Sequence, residues 1–170
     1  MKIRRPRLQD GFTLVELLIV VVILGVLAAI AIPQFSASTD DSKAAALDAT
    51  LSNLRTAIEL YYQQHGSYPS AVAAGGSFGA IDTEAAFVSQ LVKFTSAAGA
   101  VSNTKDATYK YGPYLKKSTI PADPIKNVST VEVITTGTLG MTATSGDPGG
   151  WKFDNKTGQL IVNIAAYQSR

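Results

Sequence analysis

The carboxylate of Glu16 is the side chain near the N-terminus whose surroundings suggest chemistry. It lies within the run FTLVELLIVVVILGVLAAIAI (12–32), whose other side chains, apart from Thr13, are apolar or glycine. An ionised side chain at the centre of a membrane helix costs roughly 2.5–3.5 kcal/mol, and such residues usually have a partner. No Lys, Arg or His occurs between residues 8 and 42. We therefore expect the partner of Glu16 to come from elsewhere or to be created.

Cleavage of the chain after Gly11 would create such a partner. The new α-amino group on Phe12 would have a pKa near 8 and would be mostly charged at neutral pH. Glu16 lies four residues from Phe12, on the same face of a helix. In a stack of identical subunits, the amine of one subunit could instead meet Glu16 of its neighbour. In both arrangements the two charges neutralise each other in apolar surroundings.

The apolar run also fits two simpler interpretations. A helix over 12–32 would be about 31 Å long, which matches a bilayer core of ~30 Å and predicts a single membrane anchor. A removable secretory signal is the other interpretation, with Ala-Ile-Ala (29–31) as the cleavage motif. The run is longer than the usual ~7–15 apolar residues of such signals, and Pro33 follows the motif closely.

The basic residues of the first eleven positions, Lys2, Arg4, Arg5 and Arg7, indicate orientation. Lys and Arg beside an apolar span stay on the cytoplasmic side of a membrane. The whole chain has 15 basic and 13 acidic residues, so the rest of it has no basic excess, and we expect no direct nucleic-acid binding. The chain has no cysteine, which excludes disulfides and thiolate metal sites.

The stretch GFTLVELLIVVVILGVLAAIAIP (11–33) closely resembles the N-terminal signal of type IV pilins and type II secretion pseudopilins. The shared features are a short basic leader ending in Gly11, then Phe12, Thr13, Leu14 and Glu16, with Pro33 at the end of the run. The resemblance implies that prepilin peptidase cleaves after Gly11 and that Phe12 is then N-methylated. It also implies that Glu16 and Thr13 serve assembly.

The resemblance further implies the partners and the location of the chain. The partners would be identical subunits in a filament, the prepilin peptidase, and an inner-membrane assembly platform with a secretion ATPase complex. The chain would be a single-pass protein of the bacterial inner membrane, with its N-terminus cytoplasmic and its C-terminal domain periplasmic or extracellular. Family helices are often locally unwound in filaments, which implies softening near Gly25 and Pro33.

Beyond Pro33 the apolar pattern becomes periodic and predicts that the helix continues to about residue 65. Leu47, Leu51, Leu54, Ile58 and Tyr61 are spaced four, three, four and three residues apart, as on one face of a helix. Gly66 can end the helix, and Pro69 prevents its resumption. Asp40, Asp41 and Ser42 could instead cap a second helix; we favour one continuous helix.

The C-terminal half contains a short predicted helix at 83–94, capped by Asp82 or Thr83, and then strands. STVEVITT (129–136) alternates as a strand does, TLGMTAT (138–144) is a weaker candidate, and Trp151–Asp154 with Gln159–Ile164 forms the best hairpin. The predicted class is α+β, a long helix packed on a small antiparallel sheet, and the resemblance implies a pilin-like lollipop. The predicted segments are a cleaved leader (1–11), a membrane and polymerisation half-helix (12–35), an amphipathic half-helix (36–66), a variable loop region (67–127) and C-terminal strands (128–170).

The remaining motifs give no reason to expect catalysis. His65, the single histidine, lies at a helix end, where it can interact with the helix dipole. No nucleophile elbow, phosphate loop or paired metal-ligand spacing occurs. G-type major pseudopilins often hold calcium, and Asp147 and Asp154 are the nearest candidates here, but the acidic cluster that calcium needs is missing. We therefore expect no cofactor.

The sequence thus predicts a structural subunit of a pilus-like filament, not an enzyme. Within the family that the chain resembles, the absence of cysteine favours a pseudopilin of a type II secretion system, which drives protein export, and the resemblance implies the G-type major pseudopilin. The alternative is a type IV pilin for adhesion, motility or DNA uptake, because cysteine-free pilins exist. A membrane-anchored periplasmic binding domain is a third interpretation, and it would require a pocket with converging polar groups.

Overall fold

The computed structural model describes residues 11–170, and for residues 31–38 it describes the backbone alone. The predicted leader lies outside the described residues, apart from Gly11. The chain divides into two compact units, residues 1–42 and Lys43–Arg170. One helix, α1 (Leu14–His65), contributes to both units and is continuous through Asp40–Ser42, so the favoured single helix is the one that forms.

The second unit contains the C-terminal part of α1, the helix α2 (Glu84–Val92), two 3-10 turns (Gly76–Phe78 and Ala165–Tyr167) and five short strands. Thr83 caps α2, because its side-chain oxygen accepts a hydrogen bond from the Ala86 amide at 3.2 Å. α1 ends where Gly66, at φ 68°, donates its amide to the Tyr62 carbonyl at 2.8 Å. The strands are β1 (Phe94–Thr95), β2 (Val101–Ser102), β3 (Val131–Ile134), β4 (Trp151–Asp154) and β5 (Leu160–Val162).

The main sheet has the order β3-β4-β5, and it is mixed. The predicted hairpin forms, since β4 and β5 pair antiparallel with Trp151 opposite Val162. β3 pairs parallel to β4, with Val131 opposite Trp151, so the expectation of a wholly antiparallel sheet is wrong for this pair. β1 and β2 form a separate antiparallel pair inside the region that was predicted as loop. The predicted α+β class, consistent with a pilin-like fold, is confirmed.

The core of this unit lies between the amphipathic half of α1 and one face of the sheet. All five residues of the predicted stripe are at most 1% exposed. They pack with Phe87 and Leu91 of α2 and with Trp151 and Phe153 of β4. Arg55, at the edge of this interface, donates from Nε and Nη2 to the Leu160 carbonyl at 3.2 and 2.9 Å. The burial of apolar surface therefore holds the sheet on the helix, and Arg55 ties down strand β5.

Candidate assembly site at the start of the long helix

Thr13 and Glu16 form a closed set of hydrogen bonds at the start of α1. The Thr13 amide and hydroxyl both donate to Oε2 of Glu16, at 2.9 and 2.8 Å. In return, the Glu16 amide donates to the Thr13 hydroxyl at 3.2 Å. Thr13 precedes the first helical residue, Leu14, so the pair forms a reciprocal capping box.

This arrangement corrects one step of the sequence argument. The carboxylate of Glu16 does have a partner within its own chain, although Thr13 is neutral and leaves the negative charge in place. The signal was present in the sequence, because Thr-x-x-Glu before an apolar run is the capping-box pattern.

The apolar side chains that follow the capping box are all exposed in this chain. Fourteen large hydrophobic residues between Phe12 and Ile30 have exposed fractions of 47–82%. A contiguous apolar patch of this size is not stable in water, and it marks contact with other proteins or with lipid. Among the residues that the structure describes, no helix is both long enough and apolar enough to cross a membrane.

Gly11 and Gly25 both lie in open surroundings. A Cβ atom added to either residue would have no neighbouring atom within 4 Å. Packing within the described residues therefore does not require glycine at position 11 or 25. The helix runs through Gly25 and Pro33 without a break, and the predicted softening at these positions in a filament stays a prediction.

The two acidic residues considered for calcium do not fit the ion. Oδ2 of Asp154 accepts from the Thr136 hydroxyl and the Gly137 amide, each at 2.8 Å, and its Oδ1 accepts from an amide at 2.9 Å. Asp147 accepts from the Ala165 amide at 2.7 Å. Donors thus occupy oxygens that calcium would need. Within residues 11–170, no group of three His, Cys, Asp or Glu side chains is placed to hold a metal ion.

Asp123 is a structural residue that the sequence analysis missed. Its side chain is 0% exposed. Its carboxylate accepts four backbone amides, from Ile125, Lys126, Val128 and Gly150, at 2.6–3.1 Å. These bonds fix the loop before β3 to the start of β4. Proline on both sides of Ala-Asp in PADP indicated a turn, but the amide of Gly150 is distant in sequence and could not be anticipated.

His65 belongs to an aromatic cluster at the end of α1 and shows no catalytic arrangement. Its Nε2 lies 2.8 Å from the Tyr114 hydroxyl and its Nδ1 lies 3.3 Å from the Ala97 carbonyl. Burial lowers the pKa of His65, and the hydrogen bond to Ala97 opposes that shift. Its ring lies 4.1 Å from the ring of Tyr61. These contacts pack the C-terminal end of α1 against the loops that contain Ala97 and Tyr114.

Comparison with known proteins points to the same N-terminal region. A family model described as the prokaryotic N-terminal methylation motif matches residues 6–32. The type II secretion system core protein G of Pseudomonas aeruginosa is 39% identical over 64 residues, which cover 38% of this chain and 45% of that protein. A fimbrial protein of Neisseria meningitidis is 32% identical over 102 residues, which cover 56% of this chain and 60% of that protein.

A third relative is the type IV narrow pilus major component PilA5 of Thermus thermophilus, 45% identical over 60 residues, or 35% of this chain and 52% of that protein. In these three comparisons the chain spans about half the length of the curated relatives. No solved structure matches the chain. The motif surrounds Gly11, Phe12 and Glu16, and the relatives are pilins and a secretion pseudopilin. The methylation motif and these similarities together support a pilin-type structural subunit, of the kind found among type IV pilins and type II secretion pseudopilins.

Proposed function

We propose that this chain is cleaved after Gly11, N-methylated on Phe12 and assembled with identical copies into a helical filament through its apolar N-terminal helix. The observation that carries the proposal is the exposed apolar surface between Phe12 and Ile30. This surface contains a single carboxylate, that of Glu16, near its N-terminal end. Packing of many copies would bury this surface. The chain is a substrate of processing enzymes on this proposal, and it is not itself an enzyme.

The surroundings of Gly11 support the cleavage step. A side chain at position 11 would meet no atom of the described residues within 4 Å, so packing among these residues gives no reason for a glycine there. Cleavage by a peptidase would explain the glycine. The enzyme must bring its catalytic groups close to the backbone at Gly11, and a side chain would obstruct that approach. Phe12 is 81% exposed, so its bond to Gly11 is accessible.

Glu16 has a defined role in this assembly. Cleavage leaves a charged amine on Phe12, and the carboxylate that neutralises it would be Glu16 of a neighbouring subunit. The amine would compete with Thr13 for the oxygen Oε2, which already accepts two hydrogen bonds. Thr13 therefore holds the carboxylate in position until the amine arrives.

Before assembly we place the chain in the bacterial inner membrane, with its N-terminus in the cytoplasm and its C-terminal domain outside. The apolar run of residues 12–32 and the four basic residues before it support this orientation. Extraction from the membrane would then require an assembly platform and a secretion ATPase complex. Local unwinding near Gly25 and Pro33 would adapt the helix to the filament.

For the type of filament, we favour the pseudopilus of a type II secretion system over a type IV pilus. The support is the similarity to the secretion core protein G and the absence of cysteine. The type IV pilus is the second candidate, because the match to the fimbrial protein covers 56% of the chain against 38% for the secretion protein. Deleting the gene distinguishes the two candidates. Loss of protein export would support the secretion pseudopilus, and loss of surface pili would support the type IV pilus.

The central experiment is mass spectrometry of the mature chain. We expect it to begin at Phe12 with one methyl group on the amine. Gly11→Leu should remain unprocessed in the membrane fraction. Gly25→Leu is the matched control, because this glycine also lies in open space, and it should be processed normally. A mature chain that begins at Ile32 would instead establish a secretory signal and overturn the proposal.

A further inference from the structure

The chain contains two Asp-Pro peptide bonds, and the structure surrounds them differently. One is Asp123–Pro124, in the loop before β3, and the other is Asp147–Pro148, in the connection between β3 and β4. Asp-Pro bonds are hydrolysed unusually easily, because the aspartate carboxylate can attack the adjacent carbonyl carbon within the same residue. The proline nitrogen is also a good leaving group once it takes a proton. The fold decides whether either carboxylate is free to attack.

The fold protects the bond between Asp123 and Pro124. The side chain of Asp123 is 0% exposed. Its carboxylate accepts four backbone amides, two on each oxygen, at 2.6–3.1 Å. Attack by either oxygen would break hydrogen bonds to buried donors, which is costly. We therefore expect this Asp-Pro bond to be stable in the folded chain.

The carboxylate of Asp147 keeps one oxygen available. Its Oδ1 accepts from the Ala165 amide at 2.7 Å, whereas no residue that the structure describes donates to its Oδ2. Asp147 is half-buried and Pro148 is exposed, so water reaches the bond between them. Asp147 has φ 49°, although a residue before proline prefers a φ of about −120°. The surrounding loop thus holds Asp147 in a strained conformation next to the bond that it can attack.

A cation contacts the carbonyl group of the same peptide bond. The ammonium group of Lys126 donates a hydrogen bond to the carbonyl oxygen of Asp147. Attack on this carbonyl places negative charge on its oxygen, and a donor already directed at that oxygen stabilises the charge. The carbonyl oxygen of Asp123, in contrast, accepts the neutral amide of Asn127 at 2.9 Å. Only the Asp147 carbonyl therefore has a charged donor among the described residues.

Asp123 helps to hold Lys126 beside the Asp147–Pro148 bond. Its Oδ1 accepts the Lys126 amide at 2.6 Å, and its Oδ2 accepts the Gly150 amide at 2.9 Å. These two bonds connect the backbone of Lys126 to the end of the loop that contains the bond. Gly149, at φ 84°, passes so close to the lysine stem that an added Cβ would lie 3.1 Å from Cβ of Lys126. The backbone and the stem of Lys126 are both positioned by the fold.

We propose that the folded chain hydrolyses its own Asp147–Pro148 bond, with the carboxylate of Asp147 as nucleophile and Lys126 as the group that stabilises the oxyanion. The reaction occurs once in each chain, so it does not make the chain an enzyme. It needs neither a membrane nor a filament, and its failure would leave the proposed function untouched.

The steps balance as a hydrolysis. Oδ2 of Asp147 bonds to the carbonyl carbon of the same residue, and the π electrons of the carbonyl move to the oxygen that contacts Lys126. When the carbonyl forms again, its bond to the Pro148 nitrogen breaks, and the nitrogen keeps the electron pair and takes a proton from solvent. The products are a cyclic anhydride on Asp147 and a secondary amine on Pro148. One water molecule then opens the anhydride, which leaves Asp147 as a C-terminal residue with two carboxyl groups.

Cleavage at this position leaves the core of the unit in place. The fragment that begins at Pro148 contains four core residues that are at most 1% exposed, namely Trp151, Phe153, Leu160 and Val162. The two fragments therefore stay together while the unit is folded. Once the unit unfolds, the fragments separate and cannot refold as one chain. Cleavage thus makes the persistence of the fold depend on its unfolding rate.

Mass spectrometry of the full-length chain, incubated at mildly acidic pH because the reaction consumes a proton, tests the proposal. The folded chain should release a fragment that begins at Pro148 and none that begins at Pro124. In denaturant both bonds should be cleaved at similar rates, more slowly than Asp147–Pro148 in the folded chain. If the folded chain cleaves Asp147–Pro148 no faster than the denatured chain does, the proposal is wrong. A rate that rises with chain concentration would indicate cleavage by another molecule and would also overturn it.

Variants separate the roles of the two side chains. Asp147→Asn can still accept from the Ala165 amide, but its amide group is a poor nucleophile, so we expect no fragment. Lys126→Met should slow cleavage about tenfold, a smaller loss than the ~10²–10³ for a buried oxyanion donor, because Lys126 is exposed. Lys126→Arg keeps the charge and should recover part of the rate.

Lys105→Met is the matched control for the lysine variants. Lys105 is also exposed, and it makes no hydrogen bond or ion pair among the described residues, so this variant should cleave at the natural rate. If Lys126→Met cleaves as fast as Lys105→Met, or if Asp147→Asn still releases the fragment at the natural rate, the proposed mechanism is overturned.

Discussion

The two parts of helix α1 use apolar residues in opposite ways. From Phe12 to Ile30 the apolar residues occur on every face, and all the large ones are exposed. From Leu47 to Tyr61 they occupy one face, and each member of the stripe is at most 1% exposed. A helix that is apolar all round needs apolar surroundings, whereas an amphipathic helix needs a single partner surface.

The difference shows that one helix serves two separate purposes. The sheet and α2 of the same chain cover the amphipathic half, so the second unit has its own core. The large apolar side chains of the N-terminal half are exposed, and on the proposed function they contact lipid or other subunits. Changes in the first half should therefore affect assembly, and changes in the second half should affect folding. Four predictions test this division.

The largest effect is expected for Glu16→Leu. The variant should insert and be processed normally, because the cleaved bond is unchanged. Filaments should be lost, since every subunit added would bury an unpaired amine. Breaking a buried ion pair costs about 3–5 kcal/mol, which corresponds to at least a hundredfold loss. The measurement is filament yield relative to processed subunit in the membrane fraction.

Glu16→Gln separates the charge from the capping box. Its amide oxygen can still accept the two hydrogen bonds from Thr13, but it cannot neutralise an amine. We expect Glu16→Gln to assemble as poorly as Glu16→Leu. Normal filaments from Glu16→Gln would mean that Glu16 acts through the cap alone.

The next largest effect is expected for Leu54→Ala in a chain that begins at Lys43. This unit has its own core and should fold alone. The substitution removes a side chain that is 1% exposed, and it should lower the free energy of unfolding by about 2–5 kcal/mol. Leu60→Ala is the matched control on the same helix, since Leu60 is 43% exposed and its loss should cost little. Chemical denaturation measures both, and equal losses would contradict the assignment of faces.

A smaller loss is expected for Asp123→Asn. Each oxygen of Asp123 accepts two of the four backbone amides, and the amide group of asparagine has only one acceptor oxygen, so two of the four donors would lose their partner. An unsatisfied buried group costs roughly 1–3 kcal/mol. Asp106→Asn is the control, because Asp106 accepts two amides at 2.7 and 2.8 Å on the exposed surface. If both variants unfold at the same denaturant concentration, the buried bonds of Asp123 add nothing to stability.

The smallest effect is the pH dependence due to Asp154. Burial raises its pKa, but the hydrogen bonds from Lys156, Thr136 and Gly137 outweigh burial, so the pKa lies below its ordinary value. A carboxylate with a lowered folded pKa stabilises the fold above its unfolded pKa of about 3.9, and this contribution is lost as pH falls through the folded pKa. Stability of the unit should therefore fall below about pH 4. Asp154→Asn should show a shallower fall, and an unchanged slope would contradict this role.

The sequence predicted those features that depend on local pattern. The helical stripe, the β4–β5 hairpin and a cap for α2 at Asp82 or Thr83 all follow from periodicity or from residue types a few positions apart, and the structure selects Thr83 as the cap. The same reasoning anticipated that the N-terminal helix would have no polar face. Of the site residues, Glu16 was singled out for its position in the apolar run, and its role in assembly stays a prediction, whereas its bonds to Thr13 were missed.

The features that escaped prediction depend on residues that are distant in the chain. The parallel pairing of β3 with β4 joins Val131 to Trp151, and alternation within one strand contains no information on direction. The segment 138–144 forms no strand. Its backbone amides donate to side-chain oxygens of Gln159, Asn163 and Gln168 and not to the carbonyl groups of a neighbouring strand. Tertiary contacts decided both outcomes, and no local pattern encodes them.

The capping box has a consequence for the entropy of assembly. A free glutamate side chain loses up to about 1.5–2 kcal/mol of rotamer entropy when it is immobilised. In this chain the two bonds from Thr13 to Oε2 have already restricted the side chain before any neighbour arrives. On the proposed mechanism, an incoming amine therefore meets a carboxylate whose orientation is already set. Thr13→Val would leave the charge of Glu16 in place but would remove the hydroxyl that restricts the Glu16 side chain. Each subunit would then lose more of the rotamer entropy of Glu16 when it joins the filament.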